Sequence, residues 1–279
     1  MRLENKKILL VGCGKMGSAL LNGWVKNGIS QKNIYVIDPY LPKNFNENVF
    51  SNVEELRKNK SLLSSNFFLD FDICIFAIKP QSFEEVLPTY HLVEKTLIIS
   101  IAAGVSINKI SNLAKFETSN RKIVRVMPNL PASVGAGVNA YFANKNVTED
   151  DRYLIEDLFF PTGLTFQVNS EDEIDKVTAL SGSGPAYFYY FIEAMQEKAK
   201  NLGFEENIAN EIAKQTAIGA IKLLESSRHS AKQLREDVTS PKGTTEAGLS
   251  VLMNGQLQKI LDETIDKAFI RAKELSNLS

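Results

Sequence analysis

Cysteine and histidine are nearly missing from this 279-residue chain: Cys13 and Cys74 are the two cysteines, His91 and His229 the two histidines. Two cysteines in separate apolar stretches build neither a disulfide framework nor a four-cysteine zinc site, and they fit a reducing cytosol. Two distant histidines leave little material for a metal centre or a Ser-His-Asp triad, so no metal is expected and hydrolase readings start weak. An excess of one charge is missing as well. Lys plus Arg total 32 against 33 for Asp plus Glu, a net charge of -1, so no global basic field exists to hold a nucleic acid. Long apolar runs are absent too: the opening MRLENKKILLVGCG has too short an apolar segment for a signal peptide, and no run of about 20 apolar residues follows. The expectation is a cytoplasmic protein with a small-molecule partner, no nucleic acid and no membrane.

What is present is ordinary in amount and informative in order. A composition of 44% hydrophobic and 23% charged residues supports a packed core, and 279 residues suit two domains. The first half alternates short β-branched runs with helix-like stretches, the pattern of a parallel sheet covered by helices. Strands are expected at 7–11, 34–37, 71–78, 97–101 and 122–126. Two weaker ones are expected at 137–142 and 164–168, separated by a helix from about 149 to 160 that Pro161-Thr162-Gly163 ends. After about residue 170 helical periodicity takes over, running from Pro185 to Leu275. The fold class expected is an α/β N-terminal Rossmann-type dinucleotide-binding domain, residues 1–168, followed by an all-α C-terminal domain, residues 169–279. Small residues such as Ala213 and Gly219 let its helices approach closely. Its apolar periodicity through Leu257, Ile260, Leu261, Ile265 and Phe269 is extensive for a small domain, which points to an intertwined dimer.

Gly12-Cys13-Gly14-Lys15-Met16-Gly17 satisfies the GxGxxG pattern, directly after one expected strand and directly before an apolar-periodic helix that meets Gly28. In this pattern Gly12 permits the tight turn, Gly14 lets backbone N–H groups approach a pyrophosphate, and Gly17 allows the helix to pack on the strand. With Lys15 and Met16 these residues open a helix whose N-terminal dipole favours the phosphates. Asp38 ends the second strand, 21 residues after Gly17, where a carboxylate accepts hydrogen bonds from an adenosine ribose; the alternative is that Asp38-Pro39 simply starts a loop. Against discrimination by Asp38 stand Pro39, which can turn it aside, and Lys43, a nearby cation. Ala77, Lys79 and Pro80 lie at the carboxyl end of another strand, the edge on which open α/β sheets bind ligands, although Lys79 also reads as a solvated loop lysine. Ala102, Ala103 and Gly104 follow the next strand and admit a nicotinamide closely because they carry almost no side chain. NADPH or NADH is the cofactor expected.

Three further segments carry a resemblance: Arg125-Val-Met-Pro-Asn-Leu-Pro131, Leu180-Ser-Gly-Ser-Gly-Pro-Ala-Tyr187 and Val238-Thr-Ser-Pro-Lys-Gly-Thr-Thr-Glu-Ala-Gly-Leu249. Together with the glycine loop, and in this order over essentially the whole chain, they resemble the pyrroline-5-carboxylate reductase family. The resemblance implies reduction of 1-pyrroline-5-carboxylate to L-proline. It implies Thr245 as the catalytic-site hydroxyl beside the ring nitrogen, and Ser240, Gly243 and Thr244 around the carboxylate. Glu171 and Asp237 align with family positions near bound proline, and they rank below Thr245. Assembly of dimers into a ring, commonly a decamer, is implied as well. Without the family, the same glycine-rich turn reads either as a capped helix start or as a carboxylate site at a helix N-terminus. Likewise Ser181 to Pro185 reads as a helix start as readily as a ligand contact. Three residues depart from the family pattern: Lys242 where a small residue or asparagine is usual, Leu130 in place of threonine, and Asp38, since many relatives prefer NADPH and have no acid there.

Two other readings compete with this one. A β-hydroxyacid or 6-phosphogluconate type dehydrogenase needs a catalytic lysine in its glycine-rich helix start, and here no lysine occurs between Ser181 and Lys198. A non-catalytic dinucleotide sensor binds cofactor without turnover, which leaves the Thr245 loop without a purpose.

Overall fold

The computed structural model describes residues 2–40, 45, 47–114 and 120–278. Strands β1 (Ile8–Val11), β2 (Ile34–Ile37), the two-residue β3 (Val49–Phe50), β4 (Ile73–Phe76), β5 (Leu97–Ser100), β6 (Lys122–Met127), β7 (Gly137–Ala143) and β8 (Gly163–Gln167) form one sheet, ordered β3-β2-β1-β4-β5-β6-β7-β8. Helices α1 (Lys15–Lys26), α2 (Val53–Arg57), α3 (Phe83–Val86), α4 (Ile107–Leu113), α5 (Glu149–Phe159) and α6 (Glu171–Val177) accompany it. Continuous apolar runs such as Ile8-Leu-Leu-Val11 make strands buried on both faces, as a parallel sheet requires. Side chains alternate across them. Ile8 and Leu10 pack with Leu20 and Trp24 of α1 and Leu158 of α5, whereas Leu9 and Val11 pack on the other face with Leu56, Phe83 and Ile110.

Parallel pairing holds from β3 across to β6, as expected of the first half of the chain, whereas β6 and β7 are antiparallel. The cause is chain length: only residues 128–136 separate the two strands, fewer than the dozen or so a crossover needs. The α5 connection is long enough, and β8 returns parallel to β7. Helix α1 stops at Gly28, whose φ of 85° lets its N–H reach the Val25 carbonyl and the Ile29 N–H reach that of Trp24.

After α6 comes a π-helical turn, Thr178–Gly182, then α7 (Gly184–Asn201), α8 (Glu206–Ser226), α9 (Ala231–Asp237), α10 (Thr244–Leu252) and α11 (Gln256–Leu278). By packing, the chain forms two compact units: Met1–Ser183 together with Ala268–Ser279, and Gly184–Lys267. In the first unit the end of α11 lies close to Gly104, whose φ is 74° and whose missing Cβ leaves room for the Leu275 backbone. In the second unit the buried residues are Gly184, Ala199, Ala209 and Ala213, while Phe188 (67% exposed), Ile221 (56%) and Val251 (67%) lie open. Such a unit has apolar helices and almost no core of its own, the condition of a surface that pairs with another copy. No described helix is long and apolar enough to cross a membrane.

Candidate functional site

The glycine loop between β1 and α1 is closed at two positions and open at one. Gly12 has φ 93°, and a Cβ there would fall 2.6 Å from the Ala77 carbonyl oxygen; one on Gly17 would fall 2.2 Å from that of Gly12. A Cβ on Gly14 would meet nothing within 4 Å, so the space over the loop is free for a ligand. Gly14 is also the N-cap of α1 and has no side chain to cap it; the first helical hydrogen bond is Ser18 N–H to the Gly14 carbonyl. The N–H groups of Lys15, Met16 and Gly17 therefore have no partner within the helix, and with the helix dipole they form an anion site. A dinucleotide pyrophosphate fits it.

Beside the loop, at the carboxyl ends of β1, β2 and β4, lies a cleft of about 500 Å³. Of the residues expected to hold cofactor, Gly12, Gly14, Asp38, Ala77 and Lys79 line it. Asp38 is buried, its Oδ2 accepting the Cys13 N–H at 2.5 Å and its Oδ1 the Tyr40 N–H at 2.7 Å. The ribose reading and the loop reading of Asp38-Pro39 are thus not exclusive, because one carboxylate both braces the glycine loop and borders the cleft. Pro80 opens a short 3-10 turn after the exposed Lys79. Ala102 is packed into the core layer and Ala103 is half-buried. Sequence reasoning missed Tyr40, Ser51, Asn52, Glu54, Glu85 and Tyr90, which also line the cleft. Asn52, which caps α2 through the Glu55 N–H, carried the one available signal, an N-cap residue before Val-Glu-Glu.

A second polar cluster lies where β6, α4, α6 and the end of α11 meet within the first unit. Arg125 is 3% exposed and donates to Glu171 Oε1 at 2.7 Å, with Asp175 Oδ1 3.9 Å away. Glu171 also accepts the Ile107 N–H at 3.0 Å, and Asp175 accepts from the Ser276 hydroxyl at 2.9 Å. Burial pushes the Asp175 carboxyl above its ordinary range, a shift that the Ser276 hydrogen bond and the Arg125 charge oppose. Glu171, expected near substrate on the resemblance, is thus engaged by a buried arginine. Nearby, Asn129 donates to the carbonyl and hydroxyl of Ser181, joining the Arg125–Pro131 segment to the π-helical turn.

In the second unit, Ser240-Pro241-Lys242-Gly243 forms a turn closed by the Gly243 N–H on the Ser240 carbonyl at 3.0 Å. Proline at its second position and a Lys242 φ of 60° mark it as type II, a turn whose third position favours glycine or asparagine. The Lys242 departure is therefore also a departure in backbone strain. A Cβ on Gly243 would sit 2.4 Å from the Ser240 Oγ, so the glycine allows that hydroxyl to fold over the turn. Gly243 then caps α10 without a side chain, leaving the N–H groups of Thr244 and Thr245 at an uncapped helix start. Thr245 is half-buried in that first turn. Asp237 Oδ2 lies 3.1 Å from His229 Nδ1, both exposed.

Comparison with known proteins covers both halves of the chain. The profile described as pyrroline-5-carboxylate reductase dimerisation matches residues 171–275, and that of an NADP oxidoreductase, coenzyme F420-dependent, matches residues 7–104. The pyrroline-5-carboxylate reductase of Haemophilus influenzae is 34% identical over 99% of this chain and 100% of its own length. That of Methanosarcina acetivorans is 36% identical over 98% and 99%. Among solved structures, the Coxiella burnetii pyrroline-5-carboxylate reductase superposes with a TM-score of 0.84 at 34% identity, covering 98% of this chain and 99% of that one. The Plasmodium falciparum pyrroline carboxylate reductase with NADP bound gives 0.81 at 30% identity over 98% and 99%. Since these relatives match nearly from end to end at 30% identity or more, and the dimerisation profile spans the helices that lack a core of their own, the chain belongs to the pyrroline-5-carboxylate reductase family.

Proposed function

We propose that this protein reduces 1-pyrroline-5-carboxylate to L-proline with NAD(P)H, the last step of proline biosynthesis. The observation that carries the reading is the open anion site at Gly14 and α1, in a chain that also holds the Ser240–Thr245 turn of the family. Bound reduced nicotinamide supplies a hydride to the C=N carbon of the ring. Residues 1–168 serve the cofactor and residues 169–279 serve substrate and dimerisation. Gly14, Lys15, Met16 and Gly17 hold the pyrophosphate through backbone N–H groups, Gly12 makes the turn beneath it while its own N–H is taken by the Ile37 carbonyl at 2.8 Å, and Asp38 holds the adenosine ribose. Ala77, Lys79, Pro80, Ala102 and Ala103 border the rest of the cofactor.

Ser240, Gly243 and Thr244 bind the substrate carboxylate, using the uncapped N–H groups of α10. Thr245 accepts a hydrogen bond from the iminium N–H and so fixes the ring. A threonine hydroxyl is a poor acid, so the proton on nitrogen comes from solvent or is already carried by the substrate's iminium form, and none is taken from Thr245. Orientation is what these groups contribute, and in favourable model systems it removes up to ~7 to 11 kcal/mol of barrier. Glu171 and Asp237 rank below Thr245, because their described partners are protein groups. The protein works in the cytoplasm as a dimer, with dimers assembling into a decameric ring. The test is oxidation of NADH and of NADPH in the presence of pyrroline-5-carboxylate, scored by kcat/KM. Absence of imine-dependent oxidation with both cofactors refutes the proposal.

A further inference from the structure

The cleft beside the glycine loop has a charge pattern that selects between the two nicotinamide cofactors. They differ by one 2'-phosphate on the adenosine ribose, a group of charge about -1.5 to -2 at neutral pH. Asp38 stands where an open α/β sheet meets that ribose, at the end of β2. The residue is 9% exposed and its carboxylate is held at both oxygens, by the Cys13 N–H at 2.5 Å and the Tyr40 N–H at 2.7 Å. The second bond is an Asx turn, so Pro39 sets the turn that fixes the carboxylate rather than swinging it away. To rotate aside for a phosphate, Asp38 must abandon two backbone donors. Each oxygen has a lone pair left for a ribose hydroxyl.

The described neighbours do not reverse the sign. Glu54 and Glu85 line the same cleft, and Lys79 is the one cation among the described residues that do; Lys43 lies outside the described residues. A ribose with both hydroxyls finds acceptors here, whereas a 2'-phosphate meets a fixed carboxylate in a cleft with three acids. We propose that this cleft prefers the adenosine half of NADH to that of NADPH, with Asp38 as the specificity-determining residue. The proposal rests on the dinucleotide reading of the cleft given above and narrows it to one cofactor.

The experiment titrates the protein calorimetrically with ADP-ribose and with 2'-phospho-ADP-ribose, the two cofactors without their nicotinamide, in the absence of imine. The wild type should bind ADP-ribose at least about tenfold more tightly, a difference of ~1.4 kcal/mol. Asp38→Asn and Asp38→Ser should each narrow that ratio by about tenfold, and Glu54→Gln by less. Retention of the fold is followed by the fluorescence of Trp24, the only tryptophan of the chain; if neither Asp38 variant folds, the wild-type ratio decides. Equal or tighter wild-type binding of the 2'-phosphorylated ligand overturns the proposal, as does an unchanged ratio in a folded Asp38 variant. Turnover is not read, so ADP-ribose selectivity in a protein that fails to reduce the imine refutes the enzymatic proposal and leaves this one standing.

Discussion

Replacing Arg125 with methionine removes the guanidinium that lies against both Glu171 and Asp175 while roughly keeping side-chain volume. In the native protein the guanidinium is 3% exposed, 2.7 Å from Glu171 and 3.9 Å from Asp175; the side chains of those acids are 31% and 10% exposed. Removing one partner of a buried ion pair costs about 3 to 5 kcal/mol, because the other charge stays buried without compensation. Water reaches Glu171, which places the expected loss at the lower end, ~3 kcal/mol at pH 7. The pH dependence has a definite sign. The folded pKa of Asp175 is raised, so its ionisation disfavours the native state, and this penalty grows as pH climbs from the usual aspartate value to the raised one. Without Arg125 a lowering influence disappears and the folded pKa climbs further. The cost of the variant should therefore shrink as pH falls from 7 towards 4 and Asp175 takes up its proton. Urea denaturation at fixed protein concentration measures it, with Trp24 as reporter: this indole is fully buried and donates to the Leu158 carbonyl at 2.8 Å. A loss below ~1 kcal/mol at pH 7, or a loss that does not shrink as pH falls from 7 into the ordinary aspartate range, refutes the reasoning.

Thr245→Ala and Thr245→Val should lower kcat/KM for the imino acid by about two- to twelvefold, the worth of one neutral hydrogen bond, with nucleotide affinity nearly intact; unchanged kinetics in both removes Thr245 from the mechanism. Lys242→Gly should raise stability by ~0.5 to 1 kcal/mol, because it relieves a left-handed residue at some cost in chain entropy, and a lower thermal midpoint contradicts the strain at φ 60°. Sedimentation at micromolar concentration should find a dimer or a larger assembly, since the helices of the second unit expose Phe188, Ile221 and Val251; a monomer contradicts the pairing of that face.

The local pattern was enough to place every strand except β3. Runs such as Ile73-Cys-Ile-Phe76 are apolar on both faces, and two residues at Val49–Phe50 are too short to show a period. The glycine spacing was equally legible, because Gly12, Gly14 and Gly17 each answer a constraint set within a few residues. Other features depend on distance. Arg125 meets Glu171 46 positions away, and nothing near either residue in the chain announces the pairing. Asp38 was visible as a strand-end acid, yet whether Pro39 aimed it at the loop or away was decided by the Cys13 N–H, 25 positions earlier. Local pattern therefore carried the succession of strands along the chain, β3 apart, together with the nucleotide loop and the family resemblance, since periodicity and short motifs are properties of neighbours. The tertiary structure alone decided that β7 runs against β6, that Glu171 is held by a buried arginine, and that Ser51, Asn52, Glu54 and Glu85 share a cleft with Asp38. Those facts depend on which surfaces the packed sheet brings face to face, and hydrophobic burial sets that for the whole chain at once.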